Sequence, residues 1–349
     1  MPRFAPYQPD FERLRKTLLR QKADRIPIME LGIDEAIMGH FLGRPVITLE
    51  DRIDFFRCAG YDYIKLSPSI DMNPAGLVPA GGFRHSEASG QDKARKWGSE
   101  GKGIISTWEA YERFQFPSVQ DDLFLIFEQA ERLLPPGMRV IGQYGDIFTF
   151  TWEFMGFETF CFACMENEEL VGAVFERIGA IVYALFERMA QFDVVGGLFY
   201  SDDIAYQTGL MAAPAVFHKY LFPWMKKIGR LCAQRSLPFI YHSDGKMWEV
   251  MEALLATGIT ALQPIEPKAW DIVEVKQRYG DRLALIGNVD VDLLARGTAK
   301  AVAAETKRLI DVVGPGGGYC VGSGNTVPNY VRPENYRAML ETVWDFGAV

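Results

Sequence analysis

Eight short apolar runs recur along this chain, and each is followed by sequence with helical periodicity. The runs are β-rich and bounded by Gly, Pro or Asp, as buried parallel strands are. They occupy residues 26–30, 61–66, 138–143, 194–200, 237–242, 259–264, 283–288 and 318–323. The helical patterns between them include 121–134, 167–192, 213–235, 246–258, 298–314 and 332–347. This alternation predicts an α/β fold, a (β/α)8 TIM barrel.

The alternative of a doubly wound sheet lacks its usual phosphate-binding turn. The first run continues as "MELGID", which holds one glycine and no G-x-G-x-x-G. Pro223 lies inside the helical pattern 213–235 and should kink or divide that helix.

The segment of residues 67–120 is too long for a simple crossover between strands two and three. Their segment "KWGSEGKGIISTWEAYERFQFP" suggests an excursion containing a β-hairpin, which could cover the barrel mouth or form a subunit contact.

Composition limits the class of protein. With 349 residues, 48% of them hydrophobic, and no clear linker, the chain predicts a single barrel domain over residues 1–349. A net charge of −8 without a Lys/Arg run argues against nucleic-acid binding. No run reaches ~18 apolar residues, which argues against a membrane span. The first residues lack a secretory h-region, and an odd count of five cysteines favours a reducing compartment, so we expect a cytoplasmic protein.

Polar side chains follow the predicted strands at their carboxyl ends, where TIM barrels carry out chemistry. Solvated loops explain part of this pattern, since ~40% of any chain is loop. A ring of ligand-capable groups with few cations instead predicts a pocket for a metal or a polar substrate. The residues at successive strand ends are Glu30; Lys65 and Ser67; Gln143, Tyr144 and Asp146; Ser201, Asp202 and Asp203; His242, Ser243 and Asp244; Gln263 and Glu266; Asn288 and Asp290; Ser323 and Asn325.

His242 and Asp244 are the strongest candidates for a site. Residues i and i+2 at a strand end point to the same side, so both could reach one point in the barrel mouth. Imidazole and carboxylate together suit a divalent metal, and equally a histidine oriented for proton transfer. The alternative is that Asp244 caps the next helix while His242 only packs. A catalytic zinc usually has three protein ligands, and Glu266 or Cys320 could supply the third.

Two further patterns carry acids and thiols. Asp202 and Asp203 are adjacent, and like-charge repulsion could raise one pKa and supply a catalytic acid; alternatively one caps a helix and one is solvated. Cys161 and Cys164 form a C-x-x-C pair in apolar, helical sequence without a second pair, which predicts core cysteines rather than a redox or metal site.

Several segments resemble the uroporphyrinogen decarboxylase superfamily. They are "DDIAYQTGLMAAPAVFHKYLFPWMKKI" (202–228), "YHSDGKMWEVMEALLATGITALQPIEP" (241–267), "YGDRLALIGNVDVDLLARGT" (279–298) and "GPGGGYCVGSGNTVPNYVRPENYRAML" (314–340). The segment "GDIFTFTWEFMGFETF" (145–160) matches less tightly. The resemblance implies a (β/α)8 barrel, often a homodimer, and agrees with the strand count.

The superfamily holds two chemistries. Its decarboxylases bind porphyrinogen carboxylates through an arginine-rich segment after strand one, where this chain has Glu30. Its corrinoid-linked methyltransferases hold zinc through a His-x-Cys pair after strand five and a later Cys. Here that pair is His242-Ser243-Asp244, so an oxygen ligand replaces the first thiolate, and Cys320 lies slightly upstream of the later position.

The resemblance therefore favours metal-assisted methyl transfer between a small methylated substrate and a corrinoid carried on a partner protein. The expected metal ligands for a divalent ion such as zinc are His242 and Asp244, with Glu266 or Cys320. Asp202, Asp203 and Glu30 are the expected catalytic acids, and the substrate-binding residues are Gln143, Tyr144, Asn288 and Asn325. The alternatives are porphyrinogen decarboxylation, with Asp202 or Asp203 contacting pyrrole N–H groups, and a non-catalytic binding protein.

Overall fold

A curled sheet of seven parallel strands organises the molecule, in the order β1-β2-β3-β6-β7-β8-β9. The computed structural model describes residues 7–72 and 103–348. The strands of this sheet are β1 (Tyr63–Leu66), β2 (Arg139–Gly145), β3 (Val195–Ser201), β6 (Phe239–His242), β7 (Ala261–Gln263), β8 (Ala284–Ile286) and β9 (Tyr319–Cys320). A separate antiparallel pair is formed by β4 (Ala205–Tyr206) and β5 (Gly209–Leu210). Each predicted strand from 61–66 onward is present, which confirms the predicted parallel α/β architecture.

The first predicted strand, residues 26–30, lies beside β9 as an extended segment. Ile28 and Val321 form a parallel bridge, and the Met29 amide donates to the Val321 carbonyl at 2.9 Å. On its other side, the Tyr63 hydroxyl from β1 accepts from the Glu30 amide at 2.9 Å and lies 3.2 Å from the Glu30 carbonyl. The segment thus occupies the eighth position of the ring between β9 and β1.

Helices alternate with the strands. They are α1 (Phe11–Leu18), α2 (Glu35–Leu42), α3 (Leu49–Cys58), α4 (Trp108–Arg113), α5 (Leu125–Leu133), α6 (Ile147–Met155), α7 (Phe157–Glu166), α8 (Glu168–Met189), α9 (Pro214–Val216), α10 (Phe222–Gln234), α11 (Met251–Leu255), α12 (Ile272–Tyr279), α13 (Val291–Arg296), α14 (Ala299–Val313) and α15 (Pro333–Phe346). Single 3₁₀ turns cover Asp121–Phe124 and Trp248–Val250.

Pro223 divides its helix as predicted, through a local change of winding. Residues Phe217–Leu221 form a π-helical turn between α9 and α10, and Pro223 sits in the first turn of α10. Proline lacks an amide hydrogen and collides with the carbonyl four residues earlier, so a wider turn before it relieves both problems.

The strands are buried on both faces, which explains their continuous apolar sequence. All four residues of β6 are buried, and on β3 only Ser201 is partly exposed.

The C-x-x-C pair lies on α7, as its helical sequence predicted, but its assignment to the core was wrong. Cys161 is exposed and Cys164 is only partly buried, because α7 turns this side toward solvent.

The predicted excursion falls largely on residues 73–102, which lie outside the described residues. Where the chain returns, the Gly103 amide donates to the Met155 carbonyl at 3.0 Å and Ile105 donates to Phe154 at 2.9 Å. The part of the expected hairpin that is described, residues 103–117, contains the helix α4. Among the described residues no helix has the length and apolar character needed to cross a bilayer.

Candidate metal centre

Three side chains converge at the carboxyl ends of the neighbouring strands β3 and β6. The parallel register pairs Ser201 with His242. Asp203 follows Ser201 by two residues and Asp244 follows His242 by two, so the two aspartates leave the sheet side by side. His242 Nε2 lies 3.5 Å from Asp203 Oδ1 and 4.0 Å from Asp244 Oδ1. One potential ligand atom from each residue lies within 4.8 Å of the others. The structure therefore brings His242 and Asp244 together, as predicted, and adds Asp203.

The imidazole of His242 is oriented from behind by Gln263 on β7. His242 Nδ1 and Gln263 Oε1 are 2.5 Å apart, and Gln263 Nε2 donates to the Asn325 carbonyl at 3.1 Å. Asn325 in turn donates from Nδ2 to Asp244 Oδ2 at 2.6 Å. The tautomer that matches this network carries its hydrogen on Nδ1, which leaves the Nε2 lone pair facing the two aspartates.

Asp244 carries an unsatisfied atom at the centre of the cluster. Its Oδ1 is buried and has no hydrogen-bond partner, whereas Oδ2 is held by Asn325. Burial raises the pKa of the Asp244 carboxyl to about 6; the neighbouring His242 acts in the opposite direction, and Asp203 and Glu266 raise it further. A buried carboxylate oxygen without a donor is costly, and a cation bound at this atom would offset that cost.

Gly245 allows the chain to leave Asp244 in this position. Its φ of +82° is a left-handed conformation, and a Cβ there would lie 2.5 Å from the Ala205 backbone. The Asp244 amide also donates to Asp203 Oδ1 at 2.8 Å, which fixes the loops after β3 and β6 against each other. Any side chain at residue 245 would push these two loops, and with them the two carboxylates, apart.

The donor set fits a divalent cation. One imidazole nitrogen and two carboxylate oxygens suit zinc or a harder ion such as manganese. Ligand atoms about 2.1 Å from a tetrahedral ion lie roughly 3.4 Å from one another. The separations of 3.5 and 4.0 Å from His242 Nε2 are close to that value.

Glu266 and Cys320, the predicted third ligands, are not members of this cluster. Glu266 Oε1 accepts from Gln207 at 2.6 Å and Oε2 accepts from the Gly245 amide at 3.2 Å, so the side chain braces the loop after β6. Cys320 is fully buried within β9, opposite Ile286 rather than beyond the strand end. Burial raises the pKa of its thiol, which disfavours the thiolate that metals bind. Asp203 occupies the third position instead.

Asp202 serves the adjacent helix. Its carboxylate accepts from the Phe148 and Thr149 amides at 2.7 and 3.0 Å, from the Thr149 hydroxyl at 2.9 Å and from the Tyr200 hydroxyl at 2.6 Å. Four donors from β3 and the first turn of α6 thus surround one buried carboxyl group. The adjacent Asp202 and Asp203 therefore divide between a helix anchor and the candidate metal centre.

Glu30 lies deeper in the barrel. Its carboxyl group is 2% exposed and accepts from the Ser323 amide at 2.9 Å and from the Ser323 hydroxyl at 2.5 Å. Burial raises the pKa of Glu30 to about 8, although both Ser323 donors and Lys65 oppose the shift. A neutral carboxylic acid inside the barrel can donate a proton. The role of Glu30 as a catalytic acid stays a prediction.

The predicted substrate-binding residues make different contacts. Gln143 donates to the Ser201 hydroxyl at 3.2 Å on the mouth side of β2 and β3. Tyr144 lies 3.5 Å from the Ile70 carbonyl, and Asn288 donates to the Ile265 carbonyl. Asn325 orients Asp244 as described above. Of these four, Gln143 and Tyr144 are partly exposed at the mouth, whereas Asn288 is buried and links the segments that follow β7 and β8.

The sequence does not predict a role for Gln263 or for Lys65. Their position at the carboxyl ends of predicted strands is the only sign in the sequence that they belong to the site. Gln263 could be recognised as the partner of His242 only through the pairing of β6 with β7, which places these two residues opposite each other.

Known proteins resemble the chain at two levels. Residues 102–346 match the family model described as uroporphyrinogen decarboxylase (URO-D). The uroporphyrinogen decarboxylase of Pseudoalteromonas translucida is 26% identical over 188 residues, which cover 52% of this chain and 48% of that protein. That of Methylococcus capsulatus is 34% identical over 122 residues, 34% of this chain and 33% of the relative. The chain thus spans about half, or less, of the length of these curated relatives.

A solved structure agrees over almost the full length. A methyltransferase from Methanosarcina mazei superposes with a TM-score of 0.71 at 15% sequence identity, covering 96% of this chain and 98% of that one. This likeness supports the TIM-barrel fold. Together with the family match over more than half of the sequence, it leads to one conclusion: the chain belongs to the uroporphyrinogen decarboxylase (URO-D) family.

Proposed function

We propose that this protein is an enzyme of metal-assisted methyl transfer, acting on a small methylated substrate and a corrinoid carried by a partner protein. The observation that carries its metal part is the cluster of Asp203, His242 and Asp244, in which Asp244 Oδ1 has no hydrogen-bond partner. The reaction class rests on the resemblance of His242-Ser243-Asp244 to the His-x-Cys pair of the corrinoid-linked methyltransferases. The site lies at the carboxyl ends of β3 and β6, which is where TIM barrels bind their substrates.

The polar network behind the cluster supports a metal rather than a purely acid–base site. Gln263 holds His242 through Nδ1, and Asn325 holds Asp244 through Oδ2, so the remaining lone pairs face one point. Such supporting hydrogen bonds orient ligands and raise their basicity in known metal sites. A bound divalent cation would supply Lewis acidity, and its oxygen-rich donor set suits an oxygen-containing substrate better than a thiol.

The chain's own residues then have separate tasks. His242, Asp203 and Asp244 would hold the ion, and Gln263 would fix the imidazole. Gln143 and Ser201, joined at 3.2 Å, line the neighbouring wall and offer hydrogen-bonding groups to a substrate. Glu30, with its raised pKa of about 8, can hold a proton at neutral pH within the same barrel.

Porphyrinogen decarboxylation is the second candidate, favoured by the names of the curated relatives. Acidic groups at the mouth weigh against it, because Asp203 and Asp244 would repel the carboxylates of an anionic tetrapyrrole. A metal at the cluster would lessen this repulsion but would occupy Asp203, one of the two acids predicted to contact pyrrole N–H groups. The other, Asp202, already accepts four hydrogen bonds within the protein.

Metal binding is the first test. The protein is treated with a chelator, dialysed, and titrated with Zn²⁺, Mn²⁺ and Co²⁺ by calorimetry. We expect one ion per chain and an affinity at least 100-fold lower in His242→Ala and in Asp244→Ala. His218→Ala, which alters an exposed histidine on the π-helical turn, is the matched control. Absence of binding, or equal affinity in all variants, would exclude a metal role.

The Co²⁺ form also reports the ligand type. A centre of nitrogen and oxygen ligands should lack the thiolate charge-transfer absorption that Cys320 would produce.

The reaction class is then tested with metal-loaded protein, cob(I)alamin and a panel of methylated amines and ethers, with absorbance as the readout. Formation of methylcobalamin supports the proposal, whereas turnover of uroporphyrinogen with no methylcobalamin would replace it with decarboxylation.

A further inference from the structure

Lys65 extends from β1 into the barrel and ends without a hydrogen-bond partner. Its Nζ is buried, while the residue as a whole remains partly exposed. The accessible part of Lys65 therefore lies away from its amine, so open space reaches this residue although the amine is covered. The amine lies 4.9 Å from the centre of the Phe199 ring.

This arrangement does not resemble a structural ion pair. Glu30 is the acid that acts on Lys65, but both Glu30 oxygens are already engaged by Ser323. At the other end of the same strand, by contrast, Arg13 is held by the carboxylate of Asp62 at 3.0 Å. A buried amine without an acceptor is costly, and a protein that retains one gains when a ligand supplies the acceptor.

The surroundings indicate what that acceptor is. Gln143 lies on β2, which neighbours β1, and is paired in register with Phe199 of β3, the strand that also carries Ser201. Gln143 and Ser201 offer neutral hydrogen-bonding groups beside a single cation. One ammonium balances the single negative charge of a carboxylate, whereas a phosphate group carries about −1.5 to −2 charges at pH 7 and would keep uncompensated charge among neutral neighbours.

We propose that Lys65 binds a carboxylate group of the small molecule that enters this barrel. The inference deepens the proposed function, on which it rests, by naming the substrate class as a small carboxylic acid. Phe199 neighbours both Lys65 and His242: the amine of Lys65 lies over its ring, and the ring centre is 6.4 Å from that of the His242 ring. A substrate would thus place its carboxylate at Lys65 and its reacting end at the candidate metal centre.

Two charge effects are consistent with this arrangement. Burial lowers the pKa of Lys65 to about 7, with Glu30 opposing the shift, so an arriving carboxylate would favour the charged amine. Glu30 itself has a pKa raised by burial to about 8, so at neutral pH it is mostly uncharged and does not repel the ligand.

Formate, the smallest carboxylate, is the probe. Binding of ¹³C-formate to chelator-treated protein is followed by NMR line broadening, so a metal cannot contribute. We expect binding at one site per chain, weakened at least tenfold in Lys65→Met. Lys300→Met, which removes an exposed lysine, is the control and should bind formate as the unaltered protein does. No formate binding, or equal binding by Lys65→Met, would overturn the inference.

A second measurement needs no variant. Crystals of the unaltered, metal-free protein are soaked in formate, and density for formate within hydrogen-bonding distance of Lys65 Nζ is expected. Formate bound only elsewhere would also overturn the inference. Failure here is distinct from failure of the proposed function, because Lys65→Met should keep the affinity for Zn²⁺ of the unaltered protein.

Discussion

Buried charged side chains at the two ends of the barrel differ in how completely they are hydrogen-bonded. At the amino end of β1, Asp62 accepts from the Tyr7 hydroxyl at 2.6 Å, the Asp10 amide at 2.8 Å and Arg13 at 3.0 Å. At the carboxyl end, Asp202 is likewise held by four donors, but Asp244 Oδ1 and Lys65 Nζ are buried with no hydrogen-bond partner. Asp62 is thus fully hydrogen-bonded, whereas Asp244 and Lys65 each keep a buried polar atom without a hydrogen bond.

This difference in hydrogen bonding distinguishes a residue that stabilises the barrel from residues that are expected to bind a ligand. A carboxylate with three donors stabilises the folded chain relative to the same group left alone in the interior. An unpaired carboxylate or amine destabilises it, and folded proteins tolerate such groups mainly where they bind or react. We therefore expect substitutions at the two ends to change stability in opposite directions.

The largest effect is expected at the amino end. Asp62→Ala removes the buried acceptor of Tyr7, Arg13 and the Asp10 amide and leaves the partly buried Arg13 guanidinium with only its exposed partner Asp24, at a cost of about 3 kcal/mol in the free energy of unfolding. Urea denaturation measures it. Asp24→Ala removes the exposed partner of Arg13, at 63% side-chain exposure, and should cost less than about 1 kcal/mol. Equal costs for the two variants would contradict the comparison.

An intermediate effect is expected from Glu30, as a dependence of stability on pH. Its pKa is raised to about 8 from an ordinary value of 4.5, so between these values the folded chain keeps a proton that the unfolded chain has lost. Stability must therefore fall as pH rises through this window. Relative to Glu30→Gln, the unaltered protein should lose about 2–4 kcal/mol between pH 5 and 8.

This measurement uses urea denaturation of chelator-treated protein at each pH. Glu128→Gln, an exposed residue on α5, is the control and should follow the unaltered protein. A difference between Glu30→Gln and the unaltered protein that does not change with pH would show that Glu30 is charged throughout.

The smallest effect is expected at Asp244 and has the opposite sign to that at Asp62. Asp244→Asn keeps the hydrogen bond from Asn325 but removes a charge that Asp203 and Glu266 oppose. In metal-free protein we expect it to raise the free energy of unfolding by about 1 kcal/mol. With saturating Zn²⁺ the order should reverse, because only the unaltered protein gains stability from tight binding. If Asp244→Asn instead lowers the free energy of unfolding of the metal-free protein, Asp244 stabilises the fold as Asp62 does, and the comparison fails.

Much of the architecture could be predicted from local patterns. The runs from 61–66 to 318–323 became strands because short, β-rich segments bounded by Gly, Pro or Asp can be buried on both faces only in a covered parallel sheet. The run at 26–30 is also in place but pairs through one bridge beside β9. Cys161 shows the limit of such reasoning, since apolar neighbours in the sequence did not reveal which side of α7 faces solvent.

The sequence by itself predicted that His242 and Asp244 lie close together at a strand end, because alternation along a strand is a local property. Since β6 ends at His242, the position of Asp244 also depends on its contacts with Asp203 and Asn325. Only the tertiary structure decided that Asp203 completes the cluster while Glu266 braces a loop and Cys320 stays inside β9. It also decided that Gln263 holds His242 and that Lys65 lacks a partner. These outcomes depend on the register of β3, β6 and β7 and on the distances across the barrel, which no spacing along the chain encodes.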